Sequence, residues 1–231
     1  MSAHAYRMLA SAVMVAALAL AGCSSPPAAE DAGERGGREP YPLGRSEVLE
    51  YEGRDLSSID DFRENSIAGP QEVDLETYRL SIDGLVSAPV ELEYSQVLDR
   101  QTYRKVVTLD CVEGWSVDIL WEGVLVRDLI ERASPLPEAD TVVLRAVDGY
   151  STSLPLAYFL DNDILLAYSM NGVELPPERG FPFQLVAEDK WGYKWIKWVT
   201  GIELTDDPTY RGYWESRGYS NSGDLDERYR E

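Results

Sequence analysis

The sequence is poor in the residues that carry much of protein catalysis. Its 231 residues include one histidine, His4, and two cysteines, Cys23 and Cys111. His4 lies in an N-terminal segment that we expect to be removed, which leaves a chain without an imidazole. This excludes Ser-His and Cys-His nucleophilic catalysis, and metal or haem sites that depend on histidine ligands.

Positive charge is scarce as well. The chain carries 21 Lys and Arg against 41 Asp and Glu, a net charge of −20. A surface of this sign repels the phosphates of nucleic acids, so we expect no nucleic-acid partner. Apolar residues still make up 44% of the chain, which predicts a folded protein, and 231 residues suffice for one ordinary domain.

The longest apolar run is too short to cross a bilayer. It extends from Met8 to Ala21 behind Arg7, whereas a spanning helix needs about 20 residues. The run ends in Leu20-Ala21-Gly22-Cys23, which resembles the bacterial lipobox. We interpret residues 1–22 as a lipoprotein signal peptide, with Cys23 acylated and the protein anchored outside the cytoplasm. The alternative is an ordinary secretory signal with an incidental cysteine.

Composition divides the remainder of the chain into two parts. Residues 23–45 are rich in Pro, Gly, Ala and charge and lack periodicity, which predicts a flexible tether. We expect a single folded domain over residues 46–231. Alternation of apolar and polar residues predicts several strands, and 3.6-residue periodicity predicts short helices, so the expected fold class is a β-rich mixed α+β domain. The predicted strands are Tyr78–Asp83, Lys105–Asp110, Thr141–Val147, Ile164–Tyr168, Phe183–Ala187 and Trp195–Leu204. The predicted helices are Leu92–Leu98, Val124–Ala133 and Leu156–Leu160.

Cys111 is the first candidate site residue. It follows the β-branched run Val106–Asp110 and precedes Gly114, so we expect it at the end of a strand. If Cys23 carries lipid, Cys111 has no disulfide partner in the chain. Two interpretations stay open from the residues alone: a buried structural thiol, or a soft thiolate that binds a metal or acts as a nucleophile.

A second candidate is the segment Lys190–Trp198. Three of the chain's four lysines fall here, interleaved with four aromatic residues. Ammonium groups suit a phosphate, aromatic faces suit a ring, and Gly192 allows close approach of the backbone. The segment therefore indicates a flat, anionic organic ligand. The alternative is a strand that packs its aromatics across a sheet while its lysines neutralise nearby carboxylates.

Several ordered motifs resemble the sulfite oxidase superfamily, in particular the branch of the bacterial protein-methionine-sulfoxide reductase catalytic subunit. The resemblance covers residues 62–224 and includes the Cys-Val-Glu-Gly-Trp-Ser core of the cysteine segment. The other motifs are Asp148–Pro155, Leu165–Gly172, Leu175–Pro182, the lysine-aromatic segment and Gly212–Tyr219.

This resemblance implies a sulfite-oxidase-type fold around a molybdenum-molybdopterin cofactor, with Cys111 as metal ligand and catalytic residue. Gln184 stands where the family often has arginine, and Glu188-Asp189 replace a Pro-Gly pair and add negative charge. The expected cofactor-binding residues are Asn65, Cys111, Arg179, Gln184, Trp195, Ile196 and Lys197.

The resemblance implies oxygen-atom transfer by an exported, membrane-tethered molybdenum-pterin oxidoreductase, with electrons exchanged with a separate electron-transfer protein. Sulfite is a dianion, and Glu113 follows the cysteine where sulfite oxidases carry basic residues, so we expect reduction of a small-molecule or protein-bound S-oxide or N-oxide such as methionine sulfoxide. Two alternatives stay open: a sulfite-oxidising enzyme, and a cofactor-less surface lipoprotein that keeps the fold as a binding module.

Overall fold

Strands form most of the regular structure in the part of the chain that the structure describes. This structure is a computed structural model, and it describes residues 46–230. These residues belong to one compact unit. The strands are β1 (Glu50–Tyr51), β2 (Arg54–Asp55), β3 (Leu80–Gly84), β4 (Val90–Leu92), β5 (Thr102–Asp110), β6 (Ser116–Leu125), β7 (Thr141–Ala146), β8 (Ser151–Pro155), β9 (Leu165–Met170), β10 (Val173–Glu174), β11 (Gln184–Val186) and β12 (Val199–Thr205).

Three short α-helices accompany the strands: α1 (Tyr94–Leu98), α2 (Val126–Ala133) and α3 (Leu156–Leu160). Single 3₁₀ turns occur at Pro177–Arg179, Gly192–Lys194 and Glu215–Arg217. No helix within residues 46–230 is long and apolar enough to cross a membrane.

The strands form two five-stranded sheets and the small β1–β2 hairpin. The first sheet has the order β10-β9-β6-β5, with β11 also paired to β9. The second has the order β4-β3-β12-β7-β8. All of its pairs are antiparallel except β3–β12, which is parallel and joins strands more than a hundred residues apart in sequence. This pairing places early and late parts of the chain side by side.

Apolar residues of both sheets and of α2 form one continuous core. Helix α2 buries Leu129 and Ile130 on one side and exposes Glu131 and Arg132 on the other, as its amphipathic sequence requires. Trp121 of β6 is fully buried, and its indole ring lies 5.7 Å from that of Trp195. The core thereby connects the central strands to the segment that we predicted to bind a ligand.

The predicted fold class is confirmed: the domain is mixed α+β, β-rich and single. Several predicted elements have wrong boundaries, and two of them bear on the site. Helix α2, predicted to begin at Val124, begins at Val126, because Val124 and Leu125 continue β6 in register with β9. Strand β12, predicted to begin at Trp195, begins at Val199. The residues before it turn through the 3₁₀ turn Gly192–Lys194 and reach Trp198, whose φ of +52° is incompatible with a continuous strand.

Strand β6, the central partner of β5, was missing from the sequence-based prediction. The predicted signal peptide (residues 1–22), the lipidation site Cys23 and the tether (residues 23–45) lie outside the described residues.

Candidate active site

Cys111 lies at the tip of the hairpin formed by β5 and β6. The five residues between the strands, Cys111–Trp115, form a tight turn that we call the cysteine turn. The Cys111 amide donates to the Trp115 carbonyl at 2.9 Å, and the Gly114 amide donates to the Cys111 carbonyl at 3.0 Å. Gly114 has a φ of +85°, which glycine adopts without steric cost. The nine register pairs of β5–β6 fix the base of this turn, so the sheet holds the thiol in place.

The turn faces a cavity of about 280 Å³. The structure brings all seven expected cofactor-binding residues to the walls of this one cavity, although they come from four separate stretches of sequence. The seven are Asn65, Cys111, Arg179, Gln184, Trp195, Ile196 and Lys197. The structure thus places these residues together, and their roles in binding a cofactor stay predictions.

The Cys111 thiol is buried, with 8% of the residue exposed. Burial raises its pKa, and the Glu113 carboxylate adds to this effect, while bonds from the Glu113 amide and the Asn65 side chain oppose it. The Asn65 amide nitrogen lies 3.9 Å from Sγ. A cation at the sulfur would favour the thiolate, because metal binding deprotonates a coordinating thiol.

Glu113 places a fixed negative charge beside the cysteine. Its carboxylate accepts from Trp115 Nε1 at 3.1 Å and from Asn65 Nδ2 at 3.3 Å. These two hydrogen bonds, that of Trp115 first, lower the pKa of Glu113, so it is ionised near neutral pH. The wall next to the thiol therefore combines the anionic Glu113 with the aromatic ring of Trp115.

Arg179 lines the same cavity and is mostly buried. Its Nε donates to the Ile59 carbonyl at 3.1 Å and one terminal nitrogen donates to the Phe62 carbonyl at 2.6 Å. The guanidinium carbon also lies 3.9 Å from the centre of the Phe62 ring. A guanidinium has five N–H donors, so these contacts orient Arg179 and leave donors for an anion.

Lys197 is paired within the protein. Its ammonium lies 2.7 Å from a Glu64 carboxylate oxygen and donates to the Glu178 carbonyl at 3.1 Å. Burial lowers its pKa, and the Glu64 charge opposes that shift. Two of the three ammonium donors are used by these described contacts, so one is left for a ligand.

Gln184, Trp195 and Ile196 complete the buried wall. Gln184 begins β11 and is 3% exposed, and none of the hydrogen bonds among residues 46–230 involves its side-chain amide. The backbone amides of Trp195 and Ile196 donate to the carbonyls of Gly192 and Lys194. These two amides are therefore already used within the protein, and Trp195 and Ile196 can contact a ligand through their side chains and their remaining backbone atoms.

The other lysines of the Lys190–Trp198 segment do not face the cavity as free charges. Lys190 pairs with Asp224, and Lys194 pairs with Glu215 at 2.6 Å. For these two, the structure shows the alternative interpretation, in which lysines neutralise nearby carboxylates. The carboxylate of Glu188 is likewise neutralised, by Lys105, and Glu188 is not among the residues that line the cavity.

The lining residues that the sequence did not predict as part of the site include Arg63, Tyr150, Trp214 and Tyr219. The last three belong to the Asp148–Pro155 and Gly212–Tyr219 motifs, which were noted without a role, whereas no pattern singled out Arg63. Burial raises the pKa of Tyr150 well above its usual value, so its hydroxyl stays protonated. That hydroxyl donates to the Tyr193 carbonyl.

Comparison with known proteins supplies an independent result. Residues 67–214 match the family described as "Oxidoreductase molybdopterin binding domain". The chain is 38% identical over 156 residues to "Uncharacterized oxidoreductase YuiH" of Bacillus subtilis, which covers 67% of this chain and 78% of that protein. It is 32% identical over 151 residues to "Putative protein-methionine-sulfoxide reductase subunit YedZ1" of Azospira oryzae, covering 65% of this chain and 57% of that protein.

A third relative is "Protein-methionine-sulfoxide reductase catalytic subunit MsrP" of Campylobacter jejuni, 27% identical over 184 residues, with 70% of this chain and 60% of that protein covered. The chain thus spans less than two thirds of either sulfoxide reductase relative. Among solved structures, the sulfane dehydrogenase SoxCD from Paracoccus pantotrophus aligns with a TM-score of 0.57 at 24% identity, covering 60% of this chain and 41% of that chain. This likeness concerns the fold.

Proposed function

Because the chain belongs to the oxidoreductase molybdopterin-binding domain family of the sulfite oxidase superfamily and is an oxidoreductase, we propose that it reduces S-oxide or N-oxide substrates such as methionine sulfoxide. The observation that carries the proposal is the anionic and aromatic wall beside Cys111. The names of two relatives, both protein-methionine-sulfoxide reductase subunits, point to the same substrate class.

The residues around the cavity fit a molybdenum-molybdopterin cofactor. Cys111 would supply one thiolate ligand to the metal, and a soft sulfur donor suits this role. Arg179 and Lys197 would face the anionic phosphate with the donors that their protein contacts leave over. The buried Gln184 amide and the Trp195 ring would face the pterin, which carries both hydrogen-bonding groups and a flat face.

When bound, the cofactor supplies two-electron oxygen-atom transfer. The overall reaction is R2SO + 2 e⁻ + 2 H⁺ → R2S + H2O, so the protein has to admit a neutral oxide and protons. Phe62, Trp115 and Trp214 offer apolar surface to the substituents on sulfur.

Charge selects among the possible oxygen donors and acceptors. The Glu113 carboxylate repels a dianion such as sulfite, by about 1 to 4 kcal/mol for unit charges about 4 Å apart in high to intermediate dielectric. A neutral oxide feels little of this repulsion. One observation favours a second candidate, oxidation of sulfite: Arg63, which lines the same cavity, attracts anions and lies close enough to Glu113 to influence its pKa.

The proposal includes a location and a partner. The Leu20-Ala21-Gly22-Cys23 sequence supports export and anchoring by a lipid on Cys23. We propose that electrons come from a separate electron-transfer protein; residues 23–231 themselves hold no histidine that could ligate a haem. The two sulfoxide reductase relatives are each named as a subunit, which implies a partner protein for those relatives.

The test compares two assays on protein purified with its cofactor from the native host. Reduced viologen with methionine sulfoxide should be oxidised rapidly, and sulfite with an electron acceptor should be turned over slowly. Glu113→Gln removes the negative charge with little change of shape, so its sulfite rate should rise about tenfold, equivalent to ~1.4 kcal/mol. Rapid sulfite oxidation by the wild type, with no reduction of sulfoxide, would refute the proposed direction.

A further inference from the structure

The last described stretch of the chain, residues 206–230, forms an arm without strands or α-helices, which we call the C-terminal arm. It contributes two aromatic residues to the cavity, Trp214 and Tyr219, whose ring centroids lie 5.1 Å apart. The position of this arm therefore decides where one wall of the cavity stands.

The arm lies against the edge strand β8. The Tyr213 amide donates to the Ser151 carbonyl at 2.9 Å, and a Cβ on Gly212 would come within 2.1 Å of the same oxygen. A larger residue than glycine has no room here. This contact fixes the backbone of the arm at Gly212 and Tyr213, just before Trp214. Other contacts must fix the orientation of Trp214 and of the residues that follow it.

Glu215, next to Trp214, supplies such a contact. Its side chain and that of Lys194 are both 0% exposed, and the ammonium lies 2.6 Å from Glu215 Oε1. Thr152 of β8 donates to the same oxygen, and Lys194 also donates to the Ser153 carbonyl at 3.0 Å. Glu215 Oε2 has no hydrogen-bond partner among the described residues. The pair is therefore a fully desolvated link between the arm, β8 and the Gly192–Lys194 turn.

The other end of this link is also part of the cavity wall. Lys194 stands between Tyr193 and Trp195, which both line the cavity. Tyr193 in turn touches the arm, because its ring lies 5.1 Å from that of Tyr219 and its hydroxyl donates to the Ser220 carbonyl at 2.8 Å. One buried ion pair thus connects the wall with the predicted cofactor residues to the wall formed by the arm.

We propose that Glu215 is a positioning residue for the substrate: through Lys194 it sets the distance of Trp214 and Tyr219 from the wall formed by Tyr193 and Trp195. The inference rests on the proposed function for the identity of the substrate, an oxide with apolar substituents. Removing the charge of Glu215 leaves the Lys194 ammonium buried without a counter-ion, which disfavours this packing of the arm.

The experiment uses the full-length protein with its cofactor and the variant Glu215→Gln. The KM for methionine sulfoxide should rise about tenfold, equivalent to ~1.4 kcal/mol, while kcat and molybdenum per chain stay within about twofold of wild type. Hydrogen–deuterium exchange should become faster in residues 212–220. A substitution that only weakened the fold would lower kcat and molybdenum content together.

Asp224→Asn is the matched control. Asp224 also anchors the arm through a lysine, Lys190, but it lies beyond the aromatic wall and its side chain is 37% exposed. This variant should keep the wild-type KM. An unchanged KM in Glu215→Gln, or an equal rise in both variants, would overturn the inference. If Glu215→Gln does not fold, Glu215→Asp keeps the buried charge and should raise KM less, in the same direction; a wild-type KM there overturns it too.

Failure of the proposed function gives a different result. If the wild type reduces no sulfoxide, the exchange measurement decides the positioning role without any substrate. Faster exchange of residues 212–220 in Glu215→Gln, and not in Asp224→Asn, supports the role of the ion pair in placing the arm. Equal exchange in all three proteins contradicts it.

Discussion

At the scale of single residues, Cys111 concentrates the chemistry of the molecule. It is the free cysteine of the described residues, it is buried, and it lines the cavity. Cys111→Ser keeps the size of the side chain and the turn but replaces a soft ligand by a hard one. We expect activity to be abolished and the metal–sulfur coordination seen by X-ray absorption to lose one sulfur.

The free energy of unfolding of Cys111→Ser should stay within about 1 kcal/mol of wild type, because the side chain makes few specific contacts. Chemical denaturation measures this. A fully active Cys111→Ser enzyme would exclude Cys111 as the metal ligand.

Lys197 allows a second comparison at this scale. Lys197→Glu would set two carboxylates, that of the variant and that of Glu64, next to the site for an anionic phosphate. Molybdenum per chain should fall about tenfold or more. The same substitution at Lys105, which pairs with Glu188 and does not line the cavity, should leave the metal content near the wild-type value. Equal metal content in the two purified variants, measured by mass spectrometry, would contradict the role of Lys197.

Some site residues could be predicted from the sequence, and others could not. Cys111 could be found because a strand end and a nearby glycine are local signals. The ion pairs of Lys190 and Lys194 could not, because their partners Asp224 and Glu215 follow more than twenty residues later and meet them only in the folded arm. A lysine-rich segment therefore looked like one basic surface, although only Lys197 lines the cavity.

At the scale of elements, the β5–β6 hairpin carries the site, and its two strands differed in how well they could be predicted. Strand β5 has alternating burial toward its end, which gives a period-2 signal. Strand β6 is buried on both faces from Ile119 onward, so it lacks the alternation of apolar and polar residues that marks a half-exposed strand. Its last two residues, Val124 and Leu125, are apolar and fit the apolar side of the helix that follows, so the sequence pattern predicts them as part of that helix.

A glycine in β6 tests how closely this hairpin packs. A Cβ on Gly123 would lie 2.3 Å from the Leu166 carbonyl oxygen and 2.7 Å from the Ala167 Cα, both backbone atoms of β9. Gly123→Ala should therefore lower the free energy of unfolding by about 1 to 3 kcal/mol. Gly201→Ala in β12 is the control, because its nearest neighbours are side-chain atoms at 3.3 Å or more. Urea unfolding that gave equal midpoints for both variants would contradict this packing.

At the scale of the whole molecule, the fold class could be predicted and the pairing of the strands could not. Periodicity identifies strands one at a time, whereas the parallel pairing of β3 with β12 depends on contacts across the whole domain. The cavity could not be predicted for the same reason, because its walls come from separate stretches of sequence between Phe62 and Tyr219. The ordered motifs pointed to the correct family because they sample all of these stretches.

The proposed anchor is also a property of the whole molecule. Growth of the native host with a labelled fatty acid should mark the wild-type protein and leave Cys23→Ala unlabelled. The wild type should sediment with membranes, and the variant should be released in soluble form, since one residue would carry the entire attachment. An unlabelled wild type would instead indicate ordinary secretion.

The parallel β3–β12 pair determines when the molecule can become functional. Strand β12 lies between β3 and β7, so that sheet has a gap until residues 199–205 have left the ribosome. The cavity needs Tyr219 as well, so a nascent chain has no complete binding site until residue 219 has left the ribosome. Cofactor can be loaded into the complete cavity only after that point. A cell that exports this protein must therefore either load it first and translocate a folded domain, or translocate an unfolded chain and deliver the cofactor on the far side.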